Sequence, residues 1–181
     1  MQMRETAGKD GGMHVFQPVN FEDIESGPYQ FGGDNWMLIT SEKDGKVNSM
    51  TASWGGVGYI WDKRCSFIFV RESRYTKELL DASGVYSLSF LDHKEYHGTM
   101  KYLGMVSGRS EDKIAGARLH VGRDQGIPYL DEASSVILCR ILYRQAFEES
   151  GFVVPDIVKK VYKDGDYHTM YVGEMIKAMI R

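Results

Sequence analysis

Basic and hydroxyl-bearing side chains crowd one short segment of the chain, "RESRYTKE" at residues 71–78. Its basic residues are Arg71, Arg74 and Lys77, and its hydroxyl residues are Ser73, Tyr75 and Thr76. The spacing predicts a helix over residues 74–83 with Ser73 as its cap, and the first amides of a helix have no partner within it. Free amides, the helix dipole and nearby positive charges together attract anions. The segment therefore predicts a phosphate site, with an ordinary capped surface helix as the alternative.

Small residues dominate a second segment, "NSMTASWGG" at residues 48–56, where a strand-like alternation runs into glycines. The small residues before the glycines are Ser49, Thr51, Ala52 and Ser53. They leave room for a planar ligand beside the strand, and their amides and hydroxyls can meet its polar edge. The aromatic ring of Trp54 beside free amides suits a flat heterocycle such as a flavin or a nucleobase. A barrel corner, where glycine permits a tight bend and Trp54 packs inside, is the alternative.

Two other positions could line a cofactor. In "GMVSGRSEDK", residues 104–113, a turn at Ser107 precedes a possible helix start that holds Lys113, although a plain loop explains the same residues. His168 lies at the head of the last predicted strand and has no carboxylate or metal partner nearby in the sequence, so a structural role is its alternative. No Ser-His-Asp order, metal-ligand spacing or phosphate-loop motif is present. We therefore expect no catalytic protein nucleophile and no metal, and chemistry that comes from a bound cofactor.

The elements that must position these residues are mostly β-strands. Asp44-Gly45 predicts a hairpin between two β-prone runs, since this pair supplies the positive φ angles of tight turns. Further strands are predicted at 66–70, 85–91, 136–147 and 167–180. Helices are predicted at 74–83, ending at Gly84, and at 93–103, capped by Asp92 and ending at Gly104, with a short turn after Ser110. About six strands and only short helices favour a closed or nearly closed antiparallel barrel.

Composition limits the class of protein. The chain has 181 residues, of which 43% are apolar, which suits one domain, predicted over residues 13–181 after a disordered tail or expression remnant at 1–12. The 22 Lys and Arg nearly balance 25 Asp and Glu, so no overall basic field favours nucleic acid or an anionic membrane. No apolar run has the length of a membrane span and no secretory signal is visible, so we expect a cytoplasmic protein. Cys65 and Cys139 are predicted to be buried, reduced thiols.

Four sequence blocks, taken in order, resemble the flavoredoxin branch of the flavin reductase-like, FMN-binding split-barrel family. The blocks are "DGKVNSMTASWGG" (44–56), "RESRYTKE" (71–78), "GMVSGRSEDK" (104–113) and "HTMYVGE" (168–174). The resemblance covers roughly residues 30–176. It implies a mainly β fold, a six-stranded antiparallel Greek-key split barrel with a few short helices, in a homodimer that holds one FMN per subunit near the dimer interface. Where many relatives continue with a proline-rich turn, this chain has "WDKRCSF" at residues 61–67.

The resemblance also implies which residues contact FMN. It assigns the isoalloxazine and ribityl contacts to Asn48, Ser49, Met50, Thr51, Ala52, Ser53 and Trp54. It assigns the phosphate contacts to Arg71, Arg74, Tyr75, Thr76 and Lys77. It adds Ser107 and Lys113, and places His168 near the flavin edge, where the partner subunit can supply it.

The implied activity is that of an FMN-dependent oxidoreductase of flavin reductase or flavoredoxin type. Hydride from NAD(P)H would reach bound FMN, and electrons would pass on to free flavin, an iron centre or another carrier. No Rossmann glycine fingerprint is present, so a nicotinamide would be held without it. The alternatives are an FMN-bearing electron carrier that does not oxidise NAD(P)H directly and a non-catalytic dimeric barrel without flavin.

Overall fold

The computed structural model describes residues 16–19 and 35–181. Its strands are β1 (Gln17–Val19), β2 (Met37–Lys43), β3 (Lys46–Ala52), β4 (Gly56–Ile60), β5 (Lys63–Arg71), β6 (Val85–Phe90), β7 (Val121–Asp124), β8 (Ile127–Leu130), β9 (Ser135–Ala146) and β10 (His168–Ile180). Its helices are α1 (Tyr75–Ser83), α2 (His93–Met105), α3 (Lys113–Gly116) and α4 (Pro155–Val161), with a 3-10 turn at Glu149–Gly151. The tail predicted at residues 1–12 and the predicted start of the domain at residue 13 lie outside the described residues.

One antiparallel sheet organises the described chain. Seven strands run in the order β3-β2-β6-β9-β10-β5-β4, and β1 pairs with the end of β10, while β7 and β8 form a separate hairpin. Strand β10 pairs with both β9 and β5, and its pairing with β5 places His168 opposite Arg71. The mainly β, antiparallel class is confirmed. The strands beyond the predicted six include the glycine-containing β4 and the short β1, β7 and β8, whose residues give weak strand signals.

The two tight hairpin turns differ in whether their residues are typical of turns. The β2–β3 turn lies at Asp44 and Gly45, with φ angles of 51° and 78°, as predicted. The β4–β5 turn lies at Trp61 and Asp62, with φ angles of 53° and 57°, and a positive φ angle is unusual for a bulky residue such as Trp61. Glycine therefore does not mark this second turn. Gly58 lies inside β4, where a Cβ atom would stand 3.1 Å from the Phe67 ring.

The ends of helix α1 separate one correct prediction from one wrong one. The cap at its start is Arg74, without a side-chain cap hydrogen bond, so the prediction of Ser73 as cap is wrong. Ser73 instead donates from its hydroxyl to Asp166, 2.7 Å away. Gly84 ends the helix as predicted, with a φ angle of 70° and its N–H donating to the carbonyl of Leu80.

Helix α2 begins as predicted but ends later. The Asp92 carboxylate accepts hydrogen bonds from the backbone N–H groups of Lys94 and Glu95. The helix then continues through Gly104 to Met105, so the predicted stop at Gly104 is wrong. The short helix expected after Ser110 is α3, and the Asp112 carboxylate caps it.

The core has two parts because strands of the sheet are buried on both faces. One part holds Met37, Ile39, Met50, Ile68, Tyr86 and Leu88, and the other holds Leu38, Met100, Leu103, Ile114, Leu130 and Val136. The serines of β6 face the second part, where Ser87 donates to the carbonyl of Pro128 and Ser89 accepts from the N–H of Leu130.

Cys65 and Cys139 are buried free thiols, as predicted. Over the described ranges, no helix combines the length and apolar character needed to cross a membrane.

Candidate functional site

The middle of β3, the end of β5 and the starts of α1 and α3 line a cavity of about 440 Å³, which we call the basic cavity. Its volume lies within the roughly 300–1,000 Å³ that small-molecule sites occupy. The predicted site residues that line it are Asn48, Met50, Arg71, Arg74, Tyr75, Thr76, Ser107 and Lys113. The structure thus brings residues from three separate sequence blocks to one place.

A buried hydrogen bond joins the small-residue strand to the basic segment. The side-chain amide of Asn48 on β3 donates to the hydroxyl oxygen of Thr76 in the first turn of α1, at 2.7 Å. Gly108 lies against this pair, because a Cβ atom there would overlap the side-chain oxygen Oδ1 of Asn48. The bond leaves the hydroxyl hydrogen of Thr76 free to act as a donor toward the cavity. The amides of Tyr75 and Thr76, at the start of the helix, also have no intrahelical acceptor.

Lys113 and Arg74 bring positive charge to one wall of the basic cavity. The Lys113 side chain is 4% exposed, and its ammonium group donates to the carbonyls of Leu103 at 2.7 Å and Val106 at 3.0 Å. Burial, together with the neighbouring charge of Arg74, lowers the pKa of Lys113 to about 8. Arg74 donates to the carbonyl of Gly104 at 2.9 Å. A lysine with a pKa near 8 is still mostly protonated at neutral pH, so the wall is cationic.

Arg71 also lines the basic cavity, and it contacts the chain that precedes β10. It donates to the carbonyls of Asp166 at 2.9 Å and Val161 at 3.1 Å, and its guanidinium lies 5.4 Å from the centre of the Tyr162 ring. The basic cavity therefore carries three cations from three parts of the fold: the end of β5, the start of α1 and the start of α3.

A second, smaller cavity of about 190 Å³ lies beside the end of β3, and we call it the tryptophan cavity. Its lining includes Thr51, Ser53 and Trp54, three of the predicted ring contacts. Met105, at the end of α2, lines both cavities and is 74% exposed. Helix α2 comes close to the strand because Gly104 has no side chain, and a Cβ atom there would stand 3.3 Å from Thr51. The two cavities thus share a wall that one flexible side chain forms.

His168 lies behind Trp54 at the start of β10. The centres of the two rings are 5.4 Å apart in an edge-on arrangement, and the indole N–H of Trp54 donates to the carbonyl of Phe69. The Nδ1 atom of His168 shares a hydrogen bond of 2.7 Å with the Tyr162 hydroxyl. Burial, reinforced by the charges of Arg71 and Arg74, lowers the pKa of His168 to about 4, so the ring is neutral at neutral pH. Its Nε2 atom is buried and has no hydrogen-bond partner within the described residues.

Four predicted contacts line neither cavity: His168, described above, and Ser49, Ala52 and Lys77. Ser49 is fully buried on the other face of β3 and accepts a hydrogen bond from Thr40, because successive strand residues point to opposite faces. Ala52 packs in the first part of the core. Lys77 points away from the cavity and forms ion pairs with Glu72 at 3.3 Å and Asp81 at 2.8 Å. The side chains of Ser49, Ala52 and Lys77 therefore line neither cavity.

Sequence reasoning missed the acidic side of the basic cavity. Asp164 and Asp166 line it from the turn before β10, and Val106 and Val161 add apolar contacts. No local motif marks the two aspartates. Their position follows from the register of β5 with β10, which the sequence alone does not give.

Comparisons with known proteins agree with this architecture. The family model for the flavin reductase like domain matches residues 33–181. The comparison with curated proteins gave no match.

Among solved structures, the chain is similar to an FMN-binding domain of a flavin reductase-like enzyme from Shewanella baltica OS155, with a TM-score of 0.66 and 14% identity over 92% of this chain and 79% of that one. It is similar to flavoredoxin from Methanosarcina acetivorans, with a TM-score of 0.63 and 19% identity over 98% and 76% of the two chains. It is also similar to flavoredoxin of Desulfovibrio vulgaris (Miyazaki F), with a TM-score of 0.63 and 18% identity over 99% and 77%. These likenesses confirm the predicted split-barrel fold, and the family match shows that the chain belongs to the flavin reductase-like domain family.

Proposed function

We propose that this protein binds FMN, with the phosphate in the basic cavity and the isoalloxazine ring at the tryptophan cavity. The observation that carries the proposal is the meeting of Arg71, Arg74 and Lys113 around one cavity that adjoins the Trp54 region through Met105. Membership of the flavin reductase-like family and the FMN-binding relatives described above support the same cofactor.

The basic cavity fits a phosphate group by its chemistry. Guanidinium groups form paired hydrogen bonds with phosphate oxygens, and amides at the start of a helix add further donors. Arg74, Thr76 and the amide of Tyr75 would hold the phosphate, and the buried Lys113 would add charge from behind. These donors would together satisfy a phosphate group, which accepts several hydrogen bonds at once.

The tryptophan cavity fits one edge of a flat ring system. Thr51 and Ser53 offer small polar groups, and the exposed face of Trp54 offers an aromatic surface. The buried Nε2 atom of His168, which lacks a partner within the described residues, would become satisfied by a polar atom of the ring or of a second substrate beside it. Because its pKa is about 4, His168 would act there as a neutral hydrogen-bonding group and not as a cation.

We further propose that the protein is an oxidoreductase that takes electrons from NAD(P)H. When bound, FMN supplies the hydride and electron chemistry, and the protein supplies binding, orientation and a local electrostatic field. Trp54 would limit water access on its side of the ring, while the three cations would stabilise negative charge on the bound cofactor. The electron acceptor would be free flavin, an iron centre or another carrier.

A homodimer and a cytoplasmic location complete the proposal. Support for the homodimer comes from an exposed apolar patch at the β4–β5 turn, formed by Tyr59, Ile60 and Trp61. The patch extends to the exposed Tyr143 on β9, because the ring centres of Trp61 and Tyr143 lie 6.3 Å apart. Light scattering on the purified chain should give twice the monomer mass, and a monomer at all concentrations would contradict the dimer. The buried free thiols Cys65 and Cys139 are consistent with a reducing compartment.

Mixing experiments test the activity. The purified protein should show visible flavin absorption, and rapid anaerobic mixing with NADH or NADPH should bleach it. A flavin that stays unbleached with both nicotinamides would favour the electron-carrier alternative. A colourless protein whose melting temperature does not shift with added FMN would reject FMN binding and favour the non-catalytic barrel.

A further inference from the structure

The turn before β10 brings a carboxylate into the basic cavity. The antiparallel pairing of β10 with β5 places His168 opposite Arg71, and the N–H of Glu72 donates to the carbonyl of Tyr167 at 3.2 Å. One step further along the same register, Asp166 lies opposite Ser73. The fold therefore directs this aspartate to the approach of helix α1, where the anion site is proposed.

Asp166 is bound there by groups that also suit a phosphate. Its Oδ1 atom accepts a hydrogen bond from the backbone N–H of Ser73 at 3.0 Å, and its Oδ2 atom accepts one from the Ser73 hydroxyl at 2.7 Å. The Oδ2 atom also lies 3.7 Å from a guanidinium nitrogen of Arg71. Burial acts to raise the pKa of Asp166, but the two Ser73 hydrogen bonds and the charge of Arg71 outweigh it and lower the pKa. The carboxylate is therefore ionised at neutral pH.

An amide N–H, a hydroxyl and a guanidinium form the same kinds of charge-assisted hydrogen bonds with carboxylate and with phosphate oxygens. Asp166 occupies the N–H and the hydroxyl of Ser73, donors that directly precede the proposed phosphate site at Arg74, Tyr75 and Thr76, so they are not available to a phosphate there. Two anions in one cavity also repel each other. We propose that Asp166 competes with the phosphate group of FMN for binding in the basic cavity. The aspartate thereby weakens FMN binding and reduces the difference in affinity between FMN and riboflavin. This inference rests on the proposed function.

Titration of the full-length protein with two flavins tests this competition. Asp166→Asn removes the negative charge but keeps an oxygen that can accept from Ser73. We expect it to bind FMN about 10-fold more tightly than the wild type, while its riboflavin affinity stays within about 2-fold, because riboflavin has no phosphate. Asp166→Ser, which removes the charge with a smaller side chain, should also tighten FMN binding and leave riboflavin affinity nearly unchanged.

Asp164→Asn is the matched control, because Asp164 lines the same cavity with the same charge but has no hydrogen bond to Ser73 or Arg71. It should tighten FMN binding by less than about 3-fold, since this change removes a repulsion but releases no donor. If Asp166→Asn binds FMN as the wild type does, or more weakly, Asp166 positions Ser73 and Arg71 and the inference is wrong. Equal tightening of riboflavin would also overturn it. If neither the wild type nor any variant binds FMN, the proposed function itself fails, and the inference fails with it.

Discussion

The basic cavity draws its cations from two distant segments of the chain, Arg71 and Arg74 from residues 71–78 and Lys113 from the start of α3, whereas the tryptophan cavity takes its polar and aromatic lining largely from the continuous stretch 51–54 and the end of α2. The first is charged, holds a buried lysine and includes two aspartates. The second is smaller, and its aromatic wall is exposed. This difference separates two kinds of recognition: the basic cavity would respond to charge and phosphate, and the tryptophan cavity to ring shape.

Paired measurements with FMN and riboflavin make the difference testable, because the two ligands share the ring and differ in the phosphate. A change confined to the basic cavity should alter FMN affinity alone. A change in the tryptophan cavity should alter both affinities by similar factors. Each affinity can be read from the quenching of flavin fluorescence on binding.

The largest effect is expected from Gly108→Ala, which places a methyl group where the Asn48 side chain lies. Either Asn48 loses its hydrogen bond to Thr76 or the loop at Ser107 moves away, and both changes distort the basic cavity. We expect a loss of about 1–3 kcal/mol in the free energy of unfolding, as overpacking usually costs, and a large loss of FMN affinity. Urea unfolding and FMN titration measure the two effects.

Gly98→Ala is the control for this substitution, because Gly98 lies within α2 and a Cβ atom there meets nothing within 4 Å. It should raise the free energy of unfolding by about 0.5–1 kcal/mol, since alanine is the better helix former, and leave FMN binding unchanged. Equal stability and equal FMN affinity of Gly108→Ala and the wild type would show that the loop adapts at no cost.

Arg74→Ala should give the next largest effect, confined to FMN. Loss of a charged donor should weaken FMN binding by about 1.5–3 kcal/mol while riboflavin affinity changes little. Lys77→Ala is its matched control, since Lys77 is a neighbouring cation whose ion pairs with Glu72 and Asp81 hold it outside the cavity. A larger loss of FMN affinity in Lys77→Ala than in Arg74→Ala would mean that the cations are assigned to the wrong places.

Trp54→Ala should weaken FMN and riboflavin by the same factor, because the lost contact is with the ring. Stacking of a flat heterocycle on an aromatic side chain is worth about 1–3 kcal/mol, and the exposure of Trp54 places the expected loss near the lower end. The ratio of the two dissociation constants should not move. Weakening of FMN alone would place the phosphate, and not the ring, beside Trp54.

The last prediction concerns how the stability of the protein depends on pH, and not how it binds flavin. The pKa of His168 is about 4 in the folded protein against 6.5 as the ordinary value. Since the unfolded chain binds this proton more readily, His168 lowers the free energy of unfolding as the pH falls from about 6.5 towards 4, and has no such effect above that window. His168→Asn, which keeps a group to bond Tyr162, should show a shallower decline, measured by urea unfolding at several pH values. Parallel curves for the two proteins would contradict this.

The sequence predicted the local features of this fold well, because residues close in the chain determine them. The Asp44-Gly45 turn, the Gly84 helix end and the Asp92 cap are all confirmed. The Trp61-Asp62 turn was missed, because tryptophan rarely adopts a positive φ angle and no glycine marks the turn. Nothing local favours that angle at Trp61, so the pairing of β4 with β5 must impose it.

The candidate site was predictable only in part, because contacts between residues far apart in the chain determine where several of its side chains point. The basic segment and Asn48 converge as expected, yet Lys77 and Ser49 point elsewhere, because alternation along a strand and ion pairs along a helix decide where a side chain points. The sequence pattern predicts Ser73 as a helix cap, whereas its hydroxyl donates a hydrogen bond to Asp166 in the facing turn. That contact depends on the register between two strands about a hundred residues apart, which no short motif reveals.

A structure of the protein with FMN bound measures most directly whether the two cavities hold one ligand. We expect the phosphate to lie within hydrogen-bond distance of Arg74 and the amides of Tyr75 and Thr76, and the ring to lie against Thr51, Ser53 and Trp54. A flavin that enters neither cavity, or that places its ring among the cations and its phosphate in solvent, would contradict the proposal.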